Sequence, residues 1–171
     1  MFTNKARILV CFLLILAAAL AAYFYVYEIT AFSVMLALLV VWGYFKEGPV
    51  ILAARQYKQQ NYETAKELLH SIKRPEWLNK KRKPYYELIL GSIAVQQMNY
   101  SLAENHLAKA ARLGLKAGDL GTALSHLANI SLRKQNKQQG LAWIAQSKKI
   151  PLPARQKSIL EQLEKELHKI K

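Results

Sequence analysis

The chain has 171 residues, 25 lysines and arginines against 11 acidic residues, a formal net charge of +14 and a single cysteine. One cysteine excludes an intrachain disulfide framework, and so large a positive charge favours anionic or acidic partners. Only Lys5 and Arg7 among the bases, and Glu28 among the acids, precede residue 46, so residues 46–171 hold 23 bases and 10 acids, a net +13.

The opening is apolar. Residues 8–27 and 29–45 carry no charged side chain, and Glu28 alone separates them. About 20 apolar residues span a bilayer core as a helix, and a slightly shorter run does so with local thinning. The expectation is a two-helix transmembrane hairpin in residues 1–46, meeting the lipid bilayer through residues 8–45, with its turn at Glu28, Ile29 and Thr30. Lys5 and Arg7 before the first run, and Lys46, Arg55 and Lys58 after the second, place both ends on the cytoplasmic side by the positive-inside rule. The predicted localisation is a multi-pass protein of a bacterial inner (plasma) membrane with a cytoplasmic C-terminal domain. Tyr23, Phe24, Tyr25 and Tyr27 would form one interfacial belt, and Trp42, Tyr44 and Phe45 the other. A cleaved signal peptide ending in the small residues of 17–22 is a competing reading. Cys11 reads as a small apolar residue inside the first run.

Gly48-Pro49 should end the second run and open a new helix, since proline suits a first helical position. From there apolar residues recur at helical spacing, with no sustained strand alternation. The pattern predicts helices at roughly 49–59, 62–73, 84–98, 101–113, 119–134, 138–149 and 154–170. They pair and repeat. In residues 84–117, Leu90-Gly91 is followed by Ala94, an Asn99-Tyr100 turn, and a stripe of Ala103, Leu107 and Ala110. Residues 46–79 fit the same frame with Leu52-Ala53, Asn61-Tyr62, Ala65, Leu69 and Ile72. Residues 121–154 fit it more loosely, through Leu124, Leu127, Ala128, Gly140 and Ile144. The small position moves from Ala53 to Gly91 to Ala128, steps of 38 and 37. Residues 154–171 form one amphipathic helix, with Ile159, Leu160, Leu163, Leu167 and Ile170 on one stripe. That suits a polar-faced cap on a helical stack.

This arrangement resembles the tetratricopeptide repeat, although its period is longer than the family's 34 and no unit has the consensus tryptophan, Glu87 standing at that place in the second. The resemblance implies an all-α fold: after the hairpin, residues 47–171 form a short solenoid of about three helix pairs plus a C-terminal capping helix. It also implies a concave groove, lined by the first helices of the pairs, that holds another protein or a peptide. In this frame the groove carries Tyr57, Lys58, Tyr85, Ser92, Gln96, Asn129 and Arg133, beside Val50, Ala54, Leu88 and Ser125. Lys58, Asn129 and Arg133 supply only part of the set with which some family members clamp a terminal carboxylate.

The strongest polar signal is residues 73–83, where Lys73, Arg74, Lys80, Lys81, Arg82 and Lys83 surround Trp77 and the single acid Glu76. Placed on the membrane-proximal edge, this loop would face anionic lipid head groups, each cation contributing about 1 kcal/mol near such a surface. Nucleic acid is the less favoured partner, because no recognised nucleic-acid-binding fold accompanies the cluster. Catalytic motifs are missing: His70, His106, His126 and His168 lack metal-ligand spacing, and there is no phosphate-cradling glycine loop or nucleophile elbow. Asp119, the only aspartate, reads as a helix N-cap. The chain is therefore expected to be a non-enzymatic adaptor or assembly factor without a cofactor. The alternative is a structural subunit of a larger membrane complex, its hairpin packed against partner helices.

Overall fold

The computed structural model describes residues 4–24 and 27–170, and all of its regular structure is helical. In order come α1 (Asn4–Tyr23), α2 (Tyr27–Lys58), α3 (Tyr62–His70), a 3-10 turn (Pro75–Trp77), α4 (Lys83–Gln96), α5 (Tyr100–Leu113), α6 (Ala117–Arg133), α7 (Lys137–Ser147) and α8 (Ala154–Lys169). The chain divides into two compact units, residues 1–48 and 49–171. Pro49 does not start a helix as expected. It lies inside α2, where its missing N–H removes one intrahelical hydrogen bond.

The expected transmembrane hairpin and the multi-pass membrane localisation are corrected. No helix among the described residues is long and apolar enough to cross a membrane. The first run does not continue to Tyr27, because α1 ends at Tyr23 and its N-terminal turns are taken by Asn4, Lys5 and Arg7. Its uncharged part, residues 8–23, measures about 24 Å at 1.5 Å per residue, short of a bilayer core of about 30 Å. In α2 the uncharged part, residues 29–45, measures about 26 Å and includes the polar Thr30 and Ser33. Tyr25, one of the expected belt residues, lies outside the described residues, as do the side chains of Lys5, Arg7, Cys11, Tyr44, Phe45 and Lys46. Since no described helix spans a membrane, the fold gives no support to the bilayer contact through residues 8–45 or to the lipid-facing placement of residues 73–83.

The second unit repeats one local device. The helix ends at Lys58, Gln96 and Arg133 are each followed by a residue with positive φ: Gln60 at 64°, Met98 at 58° and Gln135 at 56°. After each comes an asparagine whose backbone N–H reaches back five residues: Asn61 to the Gln56 carbonyl, Asn99 to Ala94 and Asn136 to Ser131, at 3.0, 2.9 and 2.9 Å. The positive-φ residues donate to Tyr57, Val95 and Leu132, each at 3.0 Å. This is a Schellman-type stop, which satisfies carbonyls left over at the helix end. The same asparagine then opens the next helix, and in two of the turns its side chain caps it: Asn99 accepts from the Leu102 N–H at 3.2 Å and Asn136 from the Gln139 N–H at 3.1 Å. Asn61 instead donates to the Gln56 side chain at 2.9 Å. The spacing of these turns, 38 and 37 residues, equals that of the small positions Ala53, Gly91 and Ala128.

Packing follows from those small positions. A Cβ on Gly91 would lie 2.7 Å from Leu107 Cγ and 3.1 Å from its backbone nitrogen, so α4 and α5 cross in direct contact. Ala53 with Leu69, and Ala128 with Ile144, share the 16-residue separation of that pair, and each pair is buried in one core cluster. The stripe positions Ala65, Ala103 and Gly140 are buried as well. A further cluster, from Leu88 through Leu107 to Ile130, joins α4, α5 and α6. Leu78, at the end of the 3-10 turn, is 6% exposed and plugs the core between α3 and α4.

The last helix closes the stack over two glycines. A Cβ on Gly140 would meet Leu167 Cδ2 at 2.6 Å, and one on Gly121 would meet Gln156 Oε1 at 2.5 Å, with Leu152 Cδ2, just before α8, at 2.6 Å. Leu160 and Leu167 are buried with Ala128 and Ile144. Lys137 donates to the Ile170 carbonyl at 2.7 Å and the His168 carbonyl at 3.3 Å, satisfying acceptors at the negative end of α8.

Candidate functional site

The groove predicted from the first helices separates into seam residues and exposed ones. Tyr57 is half-buried, its ring centroid 5.5 Å from that of Tyr62. Burial raises its phenol above the ordinary value, while the Ser92 hydroxyl opposes that shift. Ser92 itself is 2% exposed. Tyr85 donates to Asp119 Oδ2 at 2.9 Å, and burial, then this bond to a carboxylate, raises its phenol too. Asp119 is therefore not the N-cap expected; Lys116 stands there, and Asp119 lies in the first turn of α6, where a carboxylate suits the positive helix end. Arg133 lies 5.5 Å over the Tyr100 ring. The two tyrosines thus join successive first helices, Tyr57 to α4 and Tyr85 to α6, and Arg133 joins α6 to α5. Lys58, Gln96 and Arg133 are exposed and Asn129 is half-buried. That leaves a mainly polar face.

A second set of polar ties runs between neighbouring pairs in matching register. Gln97 donates to Glu63 at 3.2 Å and accepts from Lys66 at 3.4 Å. One pair later, Lys134 and Gln139 both donate to Glu104 at 2.6 Å. Such exposed contacts fix register more than they add stability.

In the basic segment, Arg74 stacks over Trp77 with its guanidinium 4.6 Å from the ring centroid. Trp77 remains 57% exposed, so the burial in this loop comes from Leu78. Lys73, Lys80 and Lys81 are exposed, and Arg82 and Lys83 half-buried. Lys83 lines a cavity of about 450 Å³ with Pro75, Glu76, Glu87, Lys109, Arg112 and Leu113. Glu87 is buried and its carboxylate meets His106 Nδ1 at 2.5 Å. A second cavity, of about 470 Å³, opens between α7 and α8 over Ile144, Ile150, Leu152 and Leu160. At its edge Lys148 bridges to Glu164 at 2.7 Å.

Lys109 and Arg112 carry no signal in the sequence beyond sitting one helical turn apart. The pairing of α4 with α5 brings them, near the end of α5, to Lys83 at the start of α4. Neither cavity is lined by any residue of the predicted groove. Among the described residues no group of three His, Cys, Asp or Glu side chains is placed to hold a metal ion.

No protein-family model matches the chain, and neither a curated protein nor a solved structure matches it.

Proposed function

We propose that the second unit is a tetratricopeptide-like adaptor that holds a protein partner and performs no chemistry of its own. The observation that carries this reading is the repetition: three helix pairs share one stop-and-restart turn at Gln60, Met98 and Gln135 and one small-against-large crossing. A stack built from such units presents side chains from successive pairs side by side, which suits an extended segment of another chain. On the face of the first helices, Lys58, Gln96 and Arg133 are exposed and Asn129 half-buried. They offer donors and a positive field, while the tyrosines between them brace the scaffold. The other titratable groups with raised or lowered pKa values, Tyr86 and His126, owe them chiefly to burial.

The test is site-specific photo-crosslinking of the full chain in cells, with the crosslinker placed in turn at Lys58, Gln96 and Arg133. Convergent crosslinks to one protein from all three positions support the adaptor. No adduct from any of them, with adducts from exposed Lys109 or Leu102 on α5 instead, would move the interaction to another face.

One observation favours a second reading, in which the chain is a structural subunit of a larger assembly. Phe12, Leu20, Phe32, Leu38 and Trp42 of the first unit are all more than half exposed, and apolar surface of that extent is ordinarily covered by another macromolecule. Native mass spectrometry of the captured chain separates the readings. A fixed stoichiometric complex favours the subunit, and a dissociable partner favours the adaptor.

A further inference from the structure

We infer that the cavity between the 3-10 turn, the start of α4 and the end of α5 binds a short acidic segment of a protein partner, one in which carboxylates alternate with apolar side chains. This deepens the adaptor reading and rests on it, but names a site away from the face of the first helices. Its cations come from distant parts of the chain: Lys83 opens α4, and Lys109 and Arg112 lie one turn apart near the end of α5. Lys73, Arg74, Lys80, Lys81 and Arg82 flank the cavity in sequence, so it lies within the most basic stretch of a unit already strongly positive.

The lining decides among polyanions. Pro75 and Leu113 contribute apolar surface beside the charged groups of the lining, and Leu113 is 43% exposed. Trp77 stands exposed beside Pro75, stacked under Arg74. Apolar patches between cations match a peptide whose carboxylates are interspersed with leucine-like or aromatic side chains. A nucleic acid backbone fits worse because it brings no apolar side chain to Pro75 and Leu113 and no N–H donor to Glu76. Glu87 is turned inward to His106, but Glu76 is exposed. It repels the charges of either polyanion alike, and it is able to accept from a peptide N–H. Electrostatic complementarity of this kind sets specificity and association rate before affinity.

The test uses the full chain and three fluorescent probes in anisotropy titrations. These are a twelve-residue peptide of alternating Asp/Glu and Leu/Phe, its Asn/Gln counterpart, and a single-stranded oligonucleotide of equal net charge. The acidic peptide is expected to bind, to weaken as salt rises, and to lose about tenfold or more in affinity when K109E and R112E are combined, as reversal of two cations at a polar rim implies. The neutral peptide is expected not to bind. Both substituted residues are exposed, and an unchanged circular dichroism melt confirms that the variant folds. Absence of peptide binding up to millimolar concentration, equal affinity in K109E/R112E, or tighter binding of the oligonucleotide that the same variant abolishes would each overturn the inference. If crosslinks from Lys58, Gln96 and Arg133 still converge on one protein after such a failure, the adaptor stands and only this site falls.

Discussion

Met98 occupies the left-handed region at the turn between α4 and α5, with φ of 58° and its side chain 74% exposed. The left-handed conformation costs a side-chain-bearing residue roughly 1–2 kcal/mol, because Cβ crowds the following carbonyl. Glycine escapes that penalty but loses more backbone entropy on folding, about 0.5–1 kcal/mol. The exposed methionine gives up little packing when removed. Met98→Gly should therefore stabilise the second unit by about 0.5–1 kcal/mol, or raise its melting temperature by roughly 2–4 °C. Gln60 and Gln135 stand at the same place in their own turns. The three substitutions share no bonded partner, so together they should add to about 1.5–3 kcal/mol. Chemical denaturation with an unchanged m-value is the assay, and Met98→Ala is the control, since it shortens the side chain but keeps the strain. A glycine variant no more stable than the alanine variant would refute the proposed turn geometry.

Four further outcomes follow from particular positions. Gly91→Ala should destabilise by up to about 2 kcal/mol, because overpacking against Leu107, about 1–3 kcal/mol, outweighs the roughly 1 kcal/mol gained in helix propensity; Gly118→Ala, with nothing within 4 Å of the added carbon, should be neutral or stabilising in the same melts. Tyr85→Phe removes the hydroxyl that donates to Asp119 and should cost about 1 kcal/mol, measured by denaturant titration. Burial holds the His126 imidazole below its ordinary value of 6.5, so on acidification the unfolded chain takes up the proton first and stability is lost as pH falls below that value. The slope reaches at most about 1.4 kcal/mol per pH unit, and His126→Leu should remove this group's share; identical slopes for the two proteins between pH 7 and 5 would contradict it.

Much of the second unit was legible in the residues. Small side chains at Ala53, Gly91 and Ala128, and the Asn-Tyr pairs at 61–62 and 99–100, marked the crossings and turns, because close approach and capping demand those residue types. The left-handed turn residues gave no signal, since glutamine and methionine occupy positions where glycine is the usual marker. Asp119 misled because an aspartate near a helix start reads as a cap, whereas its true partner, Tyr85, is 34 residues away. Periodicity places Tyr57 and Ser92 on the face of the groove, where a tyrosine serves equally as an anchor or as packing against the neighbouring repeat, but it cannot tell a seam between helices from an open surface. The apolar opening misled for a related reason. Counting uncharged residues does not reveal that α1 stops at Tyr23 or that α2 runs on to Lys58.

The stacked pairs closed by α8 are the foundation of the account, and methyl-to-backbone nuclear Overhauser contacts test them most directly. Strong contacts are predicted from the Leu107 methyls to the Gly91 α-protons and from the Leu167 methyls to the Gly140 α-protons. A protein with full helix content but neither contact would contradict the stack and, with it, the adaptor built upon it.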